Sequence, residues 1–481
     1  MLRSHLKASA AYAIGNVARS AALVLLTPYL VNKLDPQDYG VWVLFEVAIL
    51  LLTMVMEAGL PVGLMREYWD VGGDSGKASL VGTVVLAVAL WGFAVTAVAA
   101  GVFRAGLLRD IAGGAANGLL VVAIAWADSV LSVFLTLFRI REDAKVFVAF
   151  SVARELMFML MAIALVQAGL GITGGLIGRL VPGVVAVAAA TAYVLRKRQI
   201  SLRVEWRTLV KVIRYGTPIL PANLAAYVLF ASDRYFLEKF SGLQVVAIYS
   251  FAYKIASMLE ALITRPFTAD WAARRFKIAG ESNPQKTYAQ FFILYFYAAG
   301  GFGLILWAGA PLVYLLLAPS AYRIGITVVP LLLLSYLVFG LSNPLNVGIM
   351  LKDRTTSLTL IGVLTAALCI GLNLWWIPAL GMLGAAMATL ASYTVWTGSI
   401  AWVSLRLYPI KYPAGRLLAG SAAILVGGAF LFFLHQGWPG MAETSKAMIG
   451  LVGISALLSV LVYRERALVG SAMKSVAGRP K

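Results

Sequence analysis

Apolar residues follow one another along this chain in runs of about twenty, the length that carries an α-helix across a ~30 Å hydrocarbon layer. Fourteen such runs can be laid out: 8–32, 40–64, 79–103, 118–138, 146–168, 172–195, 211–232, 243–265, 289–316, 324–349, 356–377, 380–405, 415–435 and 446–463. Short turns separate them, and no intervening segment is large enough to house a soluble active site. The longest connections, 196–210 and 266–288, mix basic and apolar positions and are expected to lie on the membrane surface. The pattern predicts an all-α polytopic membrane protein. Its first run is no cleavable signal peptide, because Arg19 interrupts it and a second span follows at once.

A weak internal repeat divides the pattern. KLDPQDYGVWVLFE, from Lys33 to Glu46, joins spans one and two, and KFSGLQVVAIYSFAYK, from Lys239 to Lys254, joins spans seven and eight. The expected organisation is a six-helix lobe over 1–195, a linker over 196–210, a second six-helix lobe over 211–405, and two additional helices with a basic tail over 406–481. Six spans per lobe is an even number, so the lobes would share an orientation and relate by an axis along the membrane normal. Pro218 and Pro221 fall inside span seven, where they read as a hinge or a static kink. The pairs Gly171–Gly175 and Gly174–Gly178 have the spacing of close helix packing.

Composition agrees with the pattern. The chain is 61% hydrophobic and 13% charged, too little polar surface for a soluble protein of 481 residues. Its formal net charge of +19 would fit nucleic acid, but the distribution argues otherwise. With the N-terminus inside, the outer loops hold only Lys33, Arg104, Arg109, Arg234, Lys239, Arg323 and Lys446, and four more cations lie within spans. The remaining lysines and arginines all fall on the inner side, which assigns both termini to the cytoplasm. The single cysteine, Cys369, excludes an internal disulfide and a cysteine-cluster metal site.

Charges inside the spans change the picture most, since each costs roughly 2.5–3.5 kcal/mol at the bilayer centre on the mildest scale. The cations are Arg19, Arg154, Arg179 and Lys254; the anions are Glu46, Glu57, Asp128, Glu155 and Glu260. Helical rise puts Arg19, Asp128 and Lys254 near mid-membrane, with Arg154, Glu155 and Glu57 toward the inside and Glu46 and Arg179 toward the outside. Asp233 and Arg234 come at the outer edge of span seven. Glu46 and Glu57, eleven residues apart, share nearly one helical face. Together these residues imply a polar chamber, although pairs such as Asp128 with Arg154 would also serve to fasten helices. Arg154 and Glu155, being adjacent, are not expected to share a face. Motifs for chemistry are missing: GGDSGKAS at Gly72–Ser79 lacks the first glycine of a phosphate loop, and Ala78 stands where magnesium needs Ser or Thr.

The opening pattern, an Arg in span one followed by LTPYLVNKLDPQDYGVWVLFE and then EAGLPVGLMRE, resembles the polysaccharide-transporter family of the multidrug/oligosaccharidyl-lipid/polysaccharide (MOP) exporter superfamily. YGTPILPANLAAYVLFASDRYFLEKFSG followed by VVAIYSFAYKI is similar to that family's seventh and eighth helices. The resemblance covers essentially the whole chain, through loose motifs. It implies a non-enzymatic flippase that moves undecaprenyl-diphosphate-linked oligosaccharide from the inner to the outer leaflet of the bacterial inner membrane, by alternating access, for O-antigen or exopolysaccharide synthesis. It further implies a cavity between two lobes, with Arg19, Arg154, Arg179 and Lys254 matching the cations that hold the headgroup. Glu46, Glu57, Asp128, Asp233 and Glu260 become candidates for lining that cavity or coupling to Na+ or H+, and the last two helices for holding the lipid tail. A polysaccharide polymerase and glycosyltransferases are the expected protein partners, with no nucleic acid. Five intramembrane anions against four cations depart from a plainly cationic cavity. The alternatives are a drug/cation antiporter of the same superfamily, a membrane glycosyltransferase or polymerase, and lipid II as the substrate.

Overall fold

The computed structural model describes residues 25–104, 114–201, 203–438 and 441–464, so Arg19 and most of the first span lie outside the described residues. The chain divides into two compact units, Met1–Tyr227 and Val228–Lys481. In the first unit, α1 (25–33) meets α2 (Pro36–Glu57) through a two-residue turn, with Pro36 at the first helical position where its missing N–H costs nothing. Ala58 and Gly59 take left-handed backbone (φ 47° and 76°) and end α2 just after Glu57. The span expected over 40–64 therefore splits into α2 and a short α3 (Leu60–Glu67).

The helices α4 (Gly73–Arg104), α5 (Gly114–Ile140), α6 (Ala144–Leu165) and α7 (Gly171–Arg196) follow. α5 packs against α2, α4 and α7, and with 61% of its apolar window buried it is the central helix of the unit. A core of Leu64, Val84, Val88, Phe134, Phe138, Ala190 and Val194 surrounds it. Gly169 (φ 86°) and Gly171 (φ 51°) reverse the chain between α6 and α7, a backbone conformation that L-residues with a side chain avoid. The two helices then pack at close range. A Cβ at Gly174 would press on the Leu165 carbonyl, one at Gly175 on the Trp42 ring, and one at Gly178 on the Ala162 backbone nitrogen at 2.6 Å. Of the two expected pairs, Gly174–Gly178 makes the close contact with α6, whereas Gly171 turns the chain and Gly175 meets Trp42 of α2.

Span seven is displaced from its expected bounds. Residues 206–216 form a separate helix, α8 (Trp206–Gly216), and after a single tight turn at Thr217–Ile219 the chain enters α9 (Leu220–Ser241). Pro218 and Pro221 lie in that turn and in the first turn of α9, so they do not interrupt a helix interior. The physical reason is the usual one: proline lacks an N–H and is tolerated where a helix starts.

In the second unit, α10 (Leu243–Leu259) passes through a π-helical turn at Glu260–Thr264 into α11 (Arg265–Ile278). The connection expected on the surface over 266–288 is thus largely helix, anchored by the buried Trp271. α12 (Pro284–Leu317) packs against α13 (Val329–Leu345), α16 (Ala414–Gly437) and α17 (Glu443–Arg464). Between them run the short α14 (Val347–Leu351) and a 52-residue stretch, α15 (Thr356–Leu407). At Gly381 (φ 54°, ψ −130°) α15 folds back on itself, so that Cys369 meets Ser392.

Ten continuous helical stretches among the described residues are long and apolar enough to cross a membrane. Two of these, 144–196 and 356–407, are hairpins and count twice. With α9 and the first span, whose described part is α1, they make up the expected fourteen-helix all-α fold. Replacing Gly178 by Leu should overpack the α6–α7 contact and destabilise the protein by about 1–3 kcal/mol. Gly371→Ala, at a site with open space, should not. Thermal unfolding of detergent-purified protein measures both.

Candidate functional site

The charges of the first unit converge on Asp128, from α5. Its Oδ1 accepts from Arg154 Nη2 on α6, and its Oδ2 accepts from Arg179 Nη2 on α7 at 3.1 Å. One carboxylate therefore joins three helices. Arg154 also donates through Nη1 to Glu155 Oε1 at 2.9 Å, so the adjacent pair meets after all. Their Cβ atoms diverge, but the long Arg154 stem folds back toward its neighbour. Arg179 rests over the Phe158 ring at 5.9 Å and lies within electrostatic reach of Glu46 and Glu155. Glu57 lies near Ser132, one turn past Asp128 on α5. The side chains of Arg154, Arg179 and Asp128 are only 12%, 18% and 13% exposed. With no bulk water to solvate it, each charge needs its partner.

The two arginines expected to hold a headgroup are thus already engaged by carboxylates. Arg154, Arg179, Asp128 and Glu155 form a formally neutral core, and Glu46 and Glu57 add negative charge around it. Arg19 lies outside the described residues.

The second unit handles charge differently. Asp233 and Arg234 sit well inside α9, 3% and 6% exposed, rather than at the outer edge of a span, because the helix starts nine residues later than expected. Asp233 Oδ1 accepts from Arg234 Nη1 at 2.7 Å, and Oδ2 accepts from the Tyr249 hydroxyl at 2.7 Å. Arg234 Nη1 donates as well to the Phe230 carbonyl one turn back. The guanidinium stacks over the Tyr253 ring at 3.8 Å, and Tyr253 packs edge-on against Tyr336 at 5.4 Å. Tyr393 continues the aromatic shell toward Phe339 and Phe230. A desolvated cation over aromatic faces gains about 2 kcal/mol, which helps offset burial of the pair. Asp233 therefore has an internal counterion in place.

Lys254 and Glu260 lie elsewhere on this side of the chain. Lys254 follows Tyr253 on α10 and is half-buried, while Glu260 opens the π-helical turn and accepts from Arg265 Nε at 3.3 Å. Sequence reasoning missed the tyrosines. Tyr249 and Tyr253, one helical turn apart, carried a local signal; Tyr336 and Tyr393 join the shell only through tertiary packing.

The sequence profile of the family described as "Polysaccharide biosynthesis protein" matches residues 6–271. Among solved structures, the chain is similar to the lipid II flippase MurJ in an inward closed conformation, with a TM-score of 0.74 and 10% identity, covering 96% of this chain and 100% of that one. It is also similar to the Vibrio cholerae MATE transporter VcmN (TM-score 0.60, 13% identity, 84% of this chain and 96% of that one). An outward-facing multidrug resistance MATE family transporter of the MOP superfamily gives a TM-score of 0.57 at 16% identity, covering 83% and 95%. These likenesses are of fold. A comparison with curated protein sequences gives no significant match.

Asp128→Ala should destabilise the first unit by about 3 kcal/mol, because it takes the hydrogen-bonded carboxylate from the largely buried Arg179 and leaves Arg154 with Glu155 alone. Adding Arg179→Gln should restore part of the loss, and a double-mutant cycle on thermal unfolding reads the coupling. In the second unit, Tyr249→Phe removes a hydrogen bond to a buried carboxylate and should cost about 1.5–3 kcal/mol in the same assay.

Proposed function

The chain belongs to the polysaccharide biosynthesis protein family, and from that premise we propose that it is a flippase for lipid-linked oligosaccharide. Its substrate is a polyprenyl-diphosphate-linked sugar, carried by alternating access from the inner to the outer leaflet of a bacterial inner membrane, with both termini cytoplasmic. The observation that carries the proposal is the pair of arginines, Arg154 and Arg179, converging on one carboxylate inside a membrane-spanning unit. Two guanidinium groups held by a single aspartate are preorganised for a ligand with two adjacent anionic groups, and arginine is the residue suited to bidentate phosphate recognition. The pyrophosphate enters by exchange. It takes the donors that Asp128 and Glu155 occupy in the resting protein, so no bare guanidinium is exposed to hydrocarbon at any stage.

Exchange also gives coupling a physical basis. Uptake of Na+ or H+ among the carboxylates weakens the internal pairs and releases Arg154 and Arg179 to substrate; departure of that cation restores them. Within the first unit Arg19 is assigned a supporting contact to the headgroup; in the second, Lys254 and Glu260 are assigned the role of lining charges, while Asp233 stays buried against Arg234. Pro218 and Pro221 supply a hinge at the entry to α9. Outward movement of two uncompensated negative charges is favoured by roughly 4–5 kcal/mol per 100 mV, inside negative. The polyprenyl tail is assigned to a cavity of about 430 Å³ in the second unit, with walls of Gly300, Leu304 and Trp307 from α12, Leu334 from α13, and Leu425 and Phe432 from α16. Its walls are almost wholly apolar, as a hydrocarbon chain requires. A polymerase and glycosyltransferases acting on the same polysaccharide are the proposed partners.

The drug/cation antiporter reading draws on one observation, the carboxylates Glu46 and Glu57 beside a neutral core. Raised drug resistance in an overexpressing strain, without flipping, would favour it. For the flippase, Arg154→Gln with Arg179→Gln should lower transport of polyprenyl-diphosphate oligosaccharide into everted vesicles by about 10- to 100-fold, from the loss of charge-assisted hydrogen bonds. Wild-type rates in the double variant, at equal protein level, would sink the binding role.

A further inference from the structure

Helix α8 presents a surface that neither the fold nor the transport proposal uses. At 3.6 residues per turn its eleven residues sort into three adjoining strips. Leu209, Val212 and Gly216 are buried. Beside them lie Trp206, Val210 and Ile213, exposed to 70%, 46% and 41%. Next come Arg207, Lys211 and Arg214, exposed and all basic. Tyr215 faces away from the apolar strip.

The buried strip is clamped to the first unit at backbone distance. The Gly59 and Gly216 backbones touch so closely that a Cβ on either would overlap the other's carbonyl, and a Cβ at Gly63 would lie 2.7 Å from Val212 Cγ1. Thr217 Oγ1 donates to the Ala58 carbonyl at 3.3 Å. The segment leading into α8 is tied down as well: the Ser201 amide donates to the Ala78 carbonyl at 2.9 Å, Ser79 Oγ to the Arg203 carbonyl at 2.9 Å, and the Glu205 amide to Thr83 Oγ1 at 3.1 Å. With its inner face fixed in this way, α8 cannot turn to hide Trp206, Val210 and Ile213. Their exposure is built in.

We propose that α8 is an interfacial helix that binds the anionic phospholipid surface of the membrane the chain spans, with Trp206, Val210 and Ile213 sunk into the headgroup–acyl boundary and Arg207, Lys211 and Arg214 on lipid phosphates. The order of the strips is what this geometry requires, with an apolar stripe flanked by a cationic one so that both meet the same surface at different depths. Tryptophan favours that boundary, and each basic residue close to an anionic surface adds to the attraction. The clamp makes the contact rigid: α3 and α4 are held against the leaflet wherever α8 binds.

The test uses the full chain, carrying a nitroxide at Val210→Cys or Tyr215→Cys in a Cys369→Ser background, in nanodiscs of phosphatidylcholine alone or with phosphatidylglycerol. The proposal expects the label at 210 to collide with oxygen more than with a water-soluble nickel chelate, and more deeply so with phosphatidylglycerol. The label at 215 should show the reverse preference. Substituting Arg207, Lys211 and Arg214 together by Gln should abolish the difference between the two bilayers. A label at 210 that stays open to the nickel chelate in both bilayers overturns the proposal, and would point to a protein covering the strip instead. A depth that ignores phosphatidylglycerol, or a lipid dependence that survives the triple substitution, overturns the phosphate contact.

Discussion

A charge inside the hydrocarbon layer must find its partner within the protein, and the described arrangement of both units follows from that constraint. Asp128 is where it acts most strongly. Its two oxygens bind arginines from two other helices, so α5, α6 and α7 are joined at a depth where nothing else would solvate their charges. The glycines that let α6 and α7 approach closely are part of the same solution, since Arg154 and Arg179 reach one carboxylate only if their helices are adjacent. Packing and electrostatics here depend on each other.

The second unit meets the constraint with neighbouring residues. Asp233 and Arg234 neutralise each other on a single helix, the tyrosines of α10 supply the hydroxyl and the ring faces that remain to be satisfied, and those of α13 and α15 pack behind them. Such a pair can be buried completely, because no second helix has to deliver the counterion. An interhelical centre breaks when its helices move, whereas an intrahelical pair travels intact. The Asp128 centre is accordingly the one whose pairing can respond to a ligand, and the Asp233 pair the one that resists it.

Much of this was legible before any coordinates. The apolar runs marked the crossing helices, and the intramembrane charges marked Asp128, Arg154 and Arg179, because each such residue carries a cost that apolar residues avoid. The pairing of Asp128 with Arg154 was anticipated as a fastener between helices. That Asp128 also takes Arg179 was not, since only the packing of α5 on α7 brings them together. The misplacement of Asp233 and Arg234 has a plain origin: hydropathy continues from 211 into 220 and does not register that Pro218 and Pro221 start a new helix. The tyrosine shell escaped because aromatic residues in an apolar helix look like any other core.

The neutral core also bears on how a cationic function can be read from a membrane sequence. Counting intramembrane arginines suggests a positively charged chamber, but a free guanidinium in low dielectric is the state least able to persist. An anion-binding membrane site must carry its own carboxylates at rest and give them up on binding. The intramembrane carboxylates, which looked like a departure from a plainly cationic cavity, are what let Arg154 and Arg179 persist in the interior. At rest Glu155 shares Arg154 with Asp128, and Glu46 lies within electrostatic reach of Arg179. On the proposed reading a diphosphate would compete for these donors because it presents two adjacent anionic phosphoryl groups to two guanidiniums, which a neutral sugar or a lone carboxylate does not.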